Sequence, residues 1–136
     1  MRPVMLDTNA YTAFKLGDAH IVNVIKHAET IGISPIVLGE LISGFDSGAK
    51  SKKNRQELQA FLSSSRIRFF SLTDDTANFY SHIYCILKKK GKPIPTNDLW
   101  IAAQVLEHGC VLCTHDKHFE QVEGLLAGST CAELMI

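Results

Sequence analysis

Charge of either sign is in no excess in this chain of 136 residues, where fourteen Lys and Arg face fourteen Asp and Glu. With a pI near 7.0, no overall field marks a general polyanion binder, so any contact with nucleic acid must come from local patches. Long apolar runs are missing too, and none approaches the roughly 20 residues of a membrane span. Near the start only "VML" precedes the charge of Asp7, too short for the core of a secretion signal. A cytoplasmic protein without membrane contact is therefore expected. Cysteine is scarce: Cys85, Cys110, Cys113 and Cys131 include one local pair, "CVLC", in a strand-like run. Side chains three apart on a strand point to opposite faces, which argues against a zinc site there. Free, mostly buried thiols are expected instead. Internal repeats, low-complexity tracts and long linkers are also lacking. A chain of this length buries a core without disulfides, so one domain over 1–136 is expected.

What is present is an alternation of short apolar runs with amphipathic stretches, the pattern of an α/β fold with a mainly parallel central sheet flanked by helices. Strands are expected at "PVML", "IGIS", "RIRFFSL" and "CVLCT", with a last one at "AELMI". Between them "NAYTAFKLG", "DAHIVNVIKHAETIG", "PIVLGELISGF", "AKSKKNRQELQAFLSSS" and "TDDTANFYSHIYCILKKKG" read as helices, and "KHFEQVEGLL" as a short helical segment. Pro35 suits a first helical position, Thr73 a cap, and the lysines before Gly91 a helix C-terminus. The loop "SGAKSKKN" reads as the most flexible segment.

Four acids stand out against this background. Asp7 directly follows the first strand, and Asp116 follows "CVLCTH"; in open α/β sheets ligands bind outside such strand ends. Glu40 shares a helix face with Ile36, Val37 and Gly44. Asp98 opens a helix whose same-face successors are Ile101, Ala102 and Val105, so its charge points toward the interior, where an unpaired carboxylate is costly. Each has a plainer role: Asp7 and Asp116 as caps or turn residues, Glu40 as a solvated acid, and Asp98 as a first-turn acid behind a cap at Thr96 or Asn97. Taken together, two acids at strand ends and two facing inward can converge on one spot. Such a cluster is destabilising unless a cation sits within it. Hard oxygen ligands point to Mg²⁺ or Mn²⁺. Thr8, Asn9 and Thr114 are placed to orient ligands or water, with helix capping as the plainer role of the first two. His115 and His118 flank Asp116, where they could contact substrate or support a metal ligand; a surface or packing role is the plainer reading of each.

"LDTNAY", the Glu of "PIVLGELISG", "TNDLWIAAQ" and "LCTHDKHF" resemble, in this order, the motifs of the PIN-domain family, in particular its small bacterial toxin branch, the VapC-like endoribonucleases. The resemblance runs from Asp7 to Phe119. It implies a parallel sheet flanked by helices, hydrolysis of RNA phosphodiesters, and a metal site built by Asp7, Glu40, Asp98 and Asp116, with Thr8 or Thr114 as the hydroxyl near the metal. It also implies a cognate antitoxin that occludes the acidic cleft, often through an Arg, and a homodimer.

RNA needs cations as well as a metal-filled acidic site. Lys50, Lys52, Lys53 and Arg55, and the run Lys88, Lys89, Lys90 and Lys92, are the natural phosphate contacts; Arg66 and Arg68 are weaker ones. Solvated helix faces are their plainer reading. Two rival functions remain open at this level. An aspartyl-phosphate phosphohydrolase would want a second Asp at position 9, where this chain has Asn. A non-catalytic α/β nucleic-acid-binding domain would be favoured by missing acids, but all four are present.

Overall fold

Side chains along a strand alternate between the two faces of a sheet, and β1 (Val4–Leu6) puts Val4 and Leu6 on one face and Met5 on the other. In the computed structural model, which describes residues 1–136, this strand lies at the centre of a five-stranded sheet of order β3-β2-β1-β4-β5. Its companions are β2 (Ile31–Ile33), β3 (Ile67–Phe69), β4 (Val111–Cys113) and β5 (Ala127–Gly128), and every pairing is parallel. Parallel neighbours need crossovers, which helices provide. These are α1 (Thr8–Lys15), α2 (Ala19–His27), α3 (Pro35–Asp46), α4 (Ser51–Leu62), α5 (Asp74–Lys90), α6 (Thr96–Glu107) and α7 (Cys131–Leu134).

One core joins Val4, Leu6, Ile31, Ile33, Val111 and Cys113 to Ala10 of α1, to Ile21, Val24 and Ile25 of α2, and to Leu134 of α7. The other joins Met5 and Leu112 to the apolar stripes of α3, α5 and α6, with Leu58 of α4 and Phe119. The expected helix signals operate here. Ser34 caps α3 with Pro35 in its first turn; Thr73 and Thr76 form a capping box on α5, which ends in Lys88–Lys90 and a left-handed Gly91 at φ 66°. Gly32 of β2 marks a close approach, because a Cβ there would overlap the Phe70 ring and lie 2.8 Å from Met5 Cγ.

The segment expected as a last strand, "AELMI", is instead the short helix α7. Thr130 accepts from Glu133 N at 3.1 Å and donates to the Glu133 carboxylate at 3.0 Å, a local closure that favours a helical turn over extension. The fifth strand lies just upstream, where Leu112 N donates to Leu126 O and Thr114 N to Gly128 O, both at 2.9 Å. "KHFEQVEGLL" is helical only as a 3₁₀ turn over Lys117–Gln121, and Ser51–Asn54 of the expected flexible loop belong to α4. All four cysteines are free. Cys110 belongs to one core and Cys113 to the other, on opposite faces as the spacing required. Burial pushes their thiols up to about 11 and about 12. Cys85 departs from expectation: it is exposed on α5. No helix is long and apolar enough to cross a membrane.

The chain winds from β1 through β2 to β3 on one side, then returns to place β4 on the other side of β1. The crevice beyond the carboxyl ends of β1 and β4 is therefore the topological switch point, where open parallel sheets bind ligands. Register brings Leu6 opposite Cys113, so the residues that follow each strand meet there.

Candidate active site

Asp7 leaves β1 at this crevice and is only 4% exposed. Its Oδ1 accepts from Thr8 N at 2.8 Å, which makes it the N-cap of α1. Its Oδ2 accepts from Thr114 Oγ1 at 2.9 Å and from Asn9 Nδ2 at 3.1 Å. The plainer role, a helix cap, is thus observed on a residue that also lines the cleft. Burial raises the Asp7 carboxyl to about 6, against the lowering effect of the Thr114 and Thr8 hydrogen bonds; the nearby charges of Asp98 and Glu40 add to the rise.

Asn9 does more than occupy the second position of its motif. Its Oδ1 accepts from His115 N at 2.9 Å while its amide holds Asp7. Position 9 therefore ties β1 to the loop after β4 and offers no acid to a leaving group. Thr114 donates to Asp7 and accepts from Asp116 N at 3.0 Å, so one buried hydroxyl links two of the acids. Thr8 Oγ1 donates to Glu40 Oε1 at 2.7 Å, and Asn97 Nδ2 lies 3.4 Å from Glu40 Oε2.

Asp98 sits in the first turn of α6, whose Ile101, Ala102 and Val105 are fully buried. Neither Thr96 nor Asn97 caps this helix: Pro95 holds the cap position without a side-chain hydrogen bond, and the Asn97 amide is turned to Glu40. Burial raises the Asp98 carboxyl; the His118 ring opposes this, and Asp116 and Glu40 reinforce it. Asp116 caps the 3₁₀ turn, accepting from His118 N at 2.9 Å.

The four acids line one open cleft of about 510 Å³, together with Thr8, Asn9, Thr12, Ala13 and Leu16. No Lys or Arg lines it; the one ring in contact with its acids is His118, beside Asp98 and Asp116. Ligand atoms of Asp98, Asp116 and His118 lie within 4.8 Å of one another. Asp7 and Glu40 face the same cleft but stand outside that trio. The sequence left His118 between a surface or packing role and a contact to substrate or to a metal ligand. Its one signal was the Asp-x-His spacing, which has meaning only once the turn is known. His115 points elsewhere, with Nε2 3.2 Å from Asp18.

The basic residues stand apart from the cleft. Arg55 is held by Asp46 through two hydrogen bonds of 2.8 and 2.6 Å, and Lys53 lies 4.0 Å from Glu57. Lys50 and Lys52 are exposed on and before the first turn of α4. Lys88 lies over the Tyr84 ring at 5.8 Å, and Lys89 is exposed beside it. Arg66 is committed to the carbonyls of Ile25 and Ala28, while Arg68 lies over Phe70.

The PIN domain family model matches residues 4–125. The chain is 32% identical to Ribonuclease VapC2 of Rickettsia felis, over 90% of this chain and 93% of that one. It is 31% identical to Ribonuclease VapC1 of Haemophilus influenzae strain R2866, over 89% and 92%. Among solved structures, the Rickettsia felis VapBC2 complex bound to a DNA fragment from its promoter superposes with a TM-score of 0.81 at 30% identity, covering 92% of this chain and 96% of that one.

Proposed function

The chain belongs to the PIN-domain family, and from that membership and the cleft we propose that it is an endoribonuclease that hydrolyses RNA phosphodiester bonds, the toxin of a toxin–antitoxin pair. The observation that carries the reading is the convergence of Asp7, Glu40, Asp98 and Asp116 on one cleft at the sheet's switch point, with no Lys or Arg in its walls. Carboxylates gathered this way, two of them with raised pKa, need a cation to be stable in ionised form. The donor set, hard oxygens with Asp98 and Asp116 within 4.8 Å of each other, fits Mg²⁺ or Mn²⁺.

Asp98 and Asp116, with Asp7 and Glu40, would hold that ion. When bound, it supplies Lewis-acid charge that offsets the negative charge growing on a scissile phosphate and eases the ionisation of water. Glu40 is oriented by the Thr8 hydroxyl and takes the proton from the attacking water. Asn9 and Thr114 hold Asp7 in place. Phosphates further along the RNA fall to exposed lysines, Lys50, Lys52 and Lys53 on one side or Lys88 and Lys89 on the other; Arg55 contributes only if it leaves Asp46. Residues 1–136 act as one nuclease domain in the cytoplasm, as a homodimer, and a cognate antitoxin protein covers the cleft. The Rickettsia felis neighbour is VapBC2 bound to a DNA fragment from its promoter.

Expression of the chain in a bacterial host without its partner tests the reading. Growth should slow, and Asp7→Asn at matched protein level should restore it. Equal inhibition by both chains rules out cleavage at this cleft as the cause.

A further inference from the structure

We propose that His118 is a metal-binding residue of the cleft, placing an imidazole nitrogen beside Asp98 and Asp116 and biasing the site toward Mn²⁺ over Mg²⁺. This rests on the reading of the cleft as a divalent-cation site and adds to it a ligand that is not an acid.

His118 Nδ1 lies 3.1 Å from Asp116 Oδ1 and 3.4 Å from Asp98 Oδ2. For ion–ligand bonds of about 2.0–2.1 Å, neighbouring donors of an octahedral shell stand about 3 Å apart. The His118 nitrogen therefore stands near donor-to-donor spacing from both acids, and the three ligand atoms all lie within 4.8 Å of one another. Local structure sets the ring in this position. Asp116 caps the 3₁₀ turn by accepting from His118 N at 2.9 Å, and the side chain that follows faces back across the turn toward the start of α6. The other histidine of the motif is a useful contrast. His115 is paired with Asp18 at the start of α2 and takes no part in the trio.

A carboxylate-only shell suits Mg²⁺, which prefers oxygen and gives up its water reluctantly. Imidazole nitrogen is a ligand of transition-metal ions, and of the two ions that the acids suit only Mn²⁺ is one, so an added nitrogen shifts the balance toward it. The rival account of the same distances is a plain ion pair, with His118 as an internal counter-charge for two acids. The two accounts predict opposite effects. A ligand, once removed, weakens cation binding; a counter-charge, once removed, leaves binding unchanged or strengthens it.

Calorimetric titration of the full chain with Mn²⁺ and with Mg²⁺ separates them, using wild type, His118→Ala and His118→Gln. The ring is half exposed, and its backbone contact to Asp116 survives either change. Loss of residues that merely support a metal ligand typically costs 10–100-fold in affinity. Mn²⁺ affinity is therefore expected to fall by about tenfold or more in both variants, with Mg²⁺ affinity changed less than about threefold. Electron spin-echo spectra of Mn²⁺ bound to wild type should show coupling to a nitrogen nucleus, lost in both variants. Mn²⁺ binding that is unchanged or tighter in the variants overturns the role of His118 alone, as does bound Mn²⁺ without nitrogen coupling in wild type. Failure of wild type to bind either ion removes the metal reading of the cleft altogether.

Discussion

Replacing Asp7 by Asn should make the metal-free protein more stable at neutral pH, although it deletes a helix-capping carboxylate. The charge cost follows from the pKa. Burial raises Asp7 from 3.8 to about 6 in the folded chain, and each unit corresponds to about 1.4 kcal/mol. At pH 7 the ionised group therefore costs the fold about 3 kcal/mol. A carboxyl whose folded pKa is raised carries no such cost below its unfolded pKa. The cost then grows as pH rises from about 4 to about 6 and levels off above that. Asn keeps an oxygen for Thr8 N, and Thr114 can turn its hydroxyl to accept from the new amide. The Asn9 amide loses its bond to Asp7 and keeps only the longer one to Thr114 Oγ1 at 3.3 Å, at about 1 kcal/mol. The net expectation is about 2 kcal/mol of stabilisation at pH 7, shrinking to none or to slight destabilisation near pH 4. Urea unfolding of chelator-treated wild type and variant across pH 4–7.5 measures it. A variant that is less stable at pH 7, or a difference that does not vary with pH, refutes the claim that Asp7 is a strained buried charge.

Asp98→Asn should abolish most of the stabilisation that Mn²⁺ confers, which in wild type is about 2.7 kcal/mol at 100 times Kd; unfolding with and without the ion reads this, and an unchanged increment makes Asp98 a helix-end acid only. Lys52→Ala with Lys53→Ala, or Lys88→Ala with Lys89→Ala, should raise KM for RNA and flatten its salt dependence by about 0.7 per lost phosphate contact, with kcat preserved. If neither pair moves KM or the slope, both runs are solvated faces. Gly32→Ala should cost about 1–3 kcal/mol, because the new methyl group must displace Phe70 or Met5 in a packed core; denaturant melts with no shift in midpoint would show that the core yields.

The α/β fold was legible because strands of a sheet covered on both faces are apolar throughout, as in "VML" and "VLC", while the helices between them carry one apolar stripe. The convergence of the acids was legible from the same pattern, since strand ends and inward-facing first turns meet at a switch point. Other features depend on contacts that local pattern does not encode. "AELMI" is apolar enough for a strand, yet the Thr130–Glu133 closure makes it helical. That Thr-x-x-Glu spacing was present in the sequence and outweighs the apolar count. The two-residue β5 has too short a run to show any period. Arg55 looked like a free phosphate contact until the turn between α3 and α4 brought it to Asp46. His118 meets Asp98 across 20 positions, through a 3₁₀ turn whose geometry no spacing rule supplies.

The central claim is that these carboxylates make the protein a metal-dependent endoribonuclease. Its most direct test is the purified chain, free of partner, incubated with a mixed RNA substrate and Mn²⁺ or Mg²⁺, with 5′ ends of the products mapped. Internal cuts should appear with the ion, vanish with chelator, return when the ion is restored, and be missing with Asp98→Asn. Cleavage that persists in chelator or in the variant, or no internal cut under any ionic condition, contradicts the account.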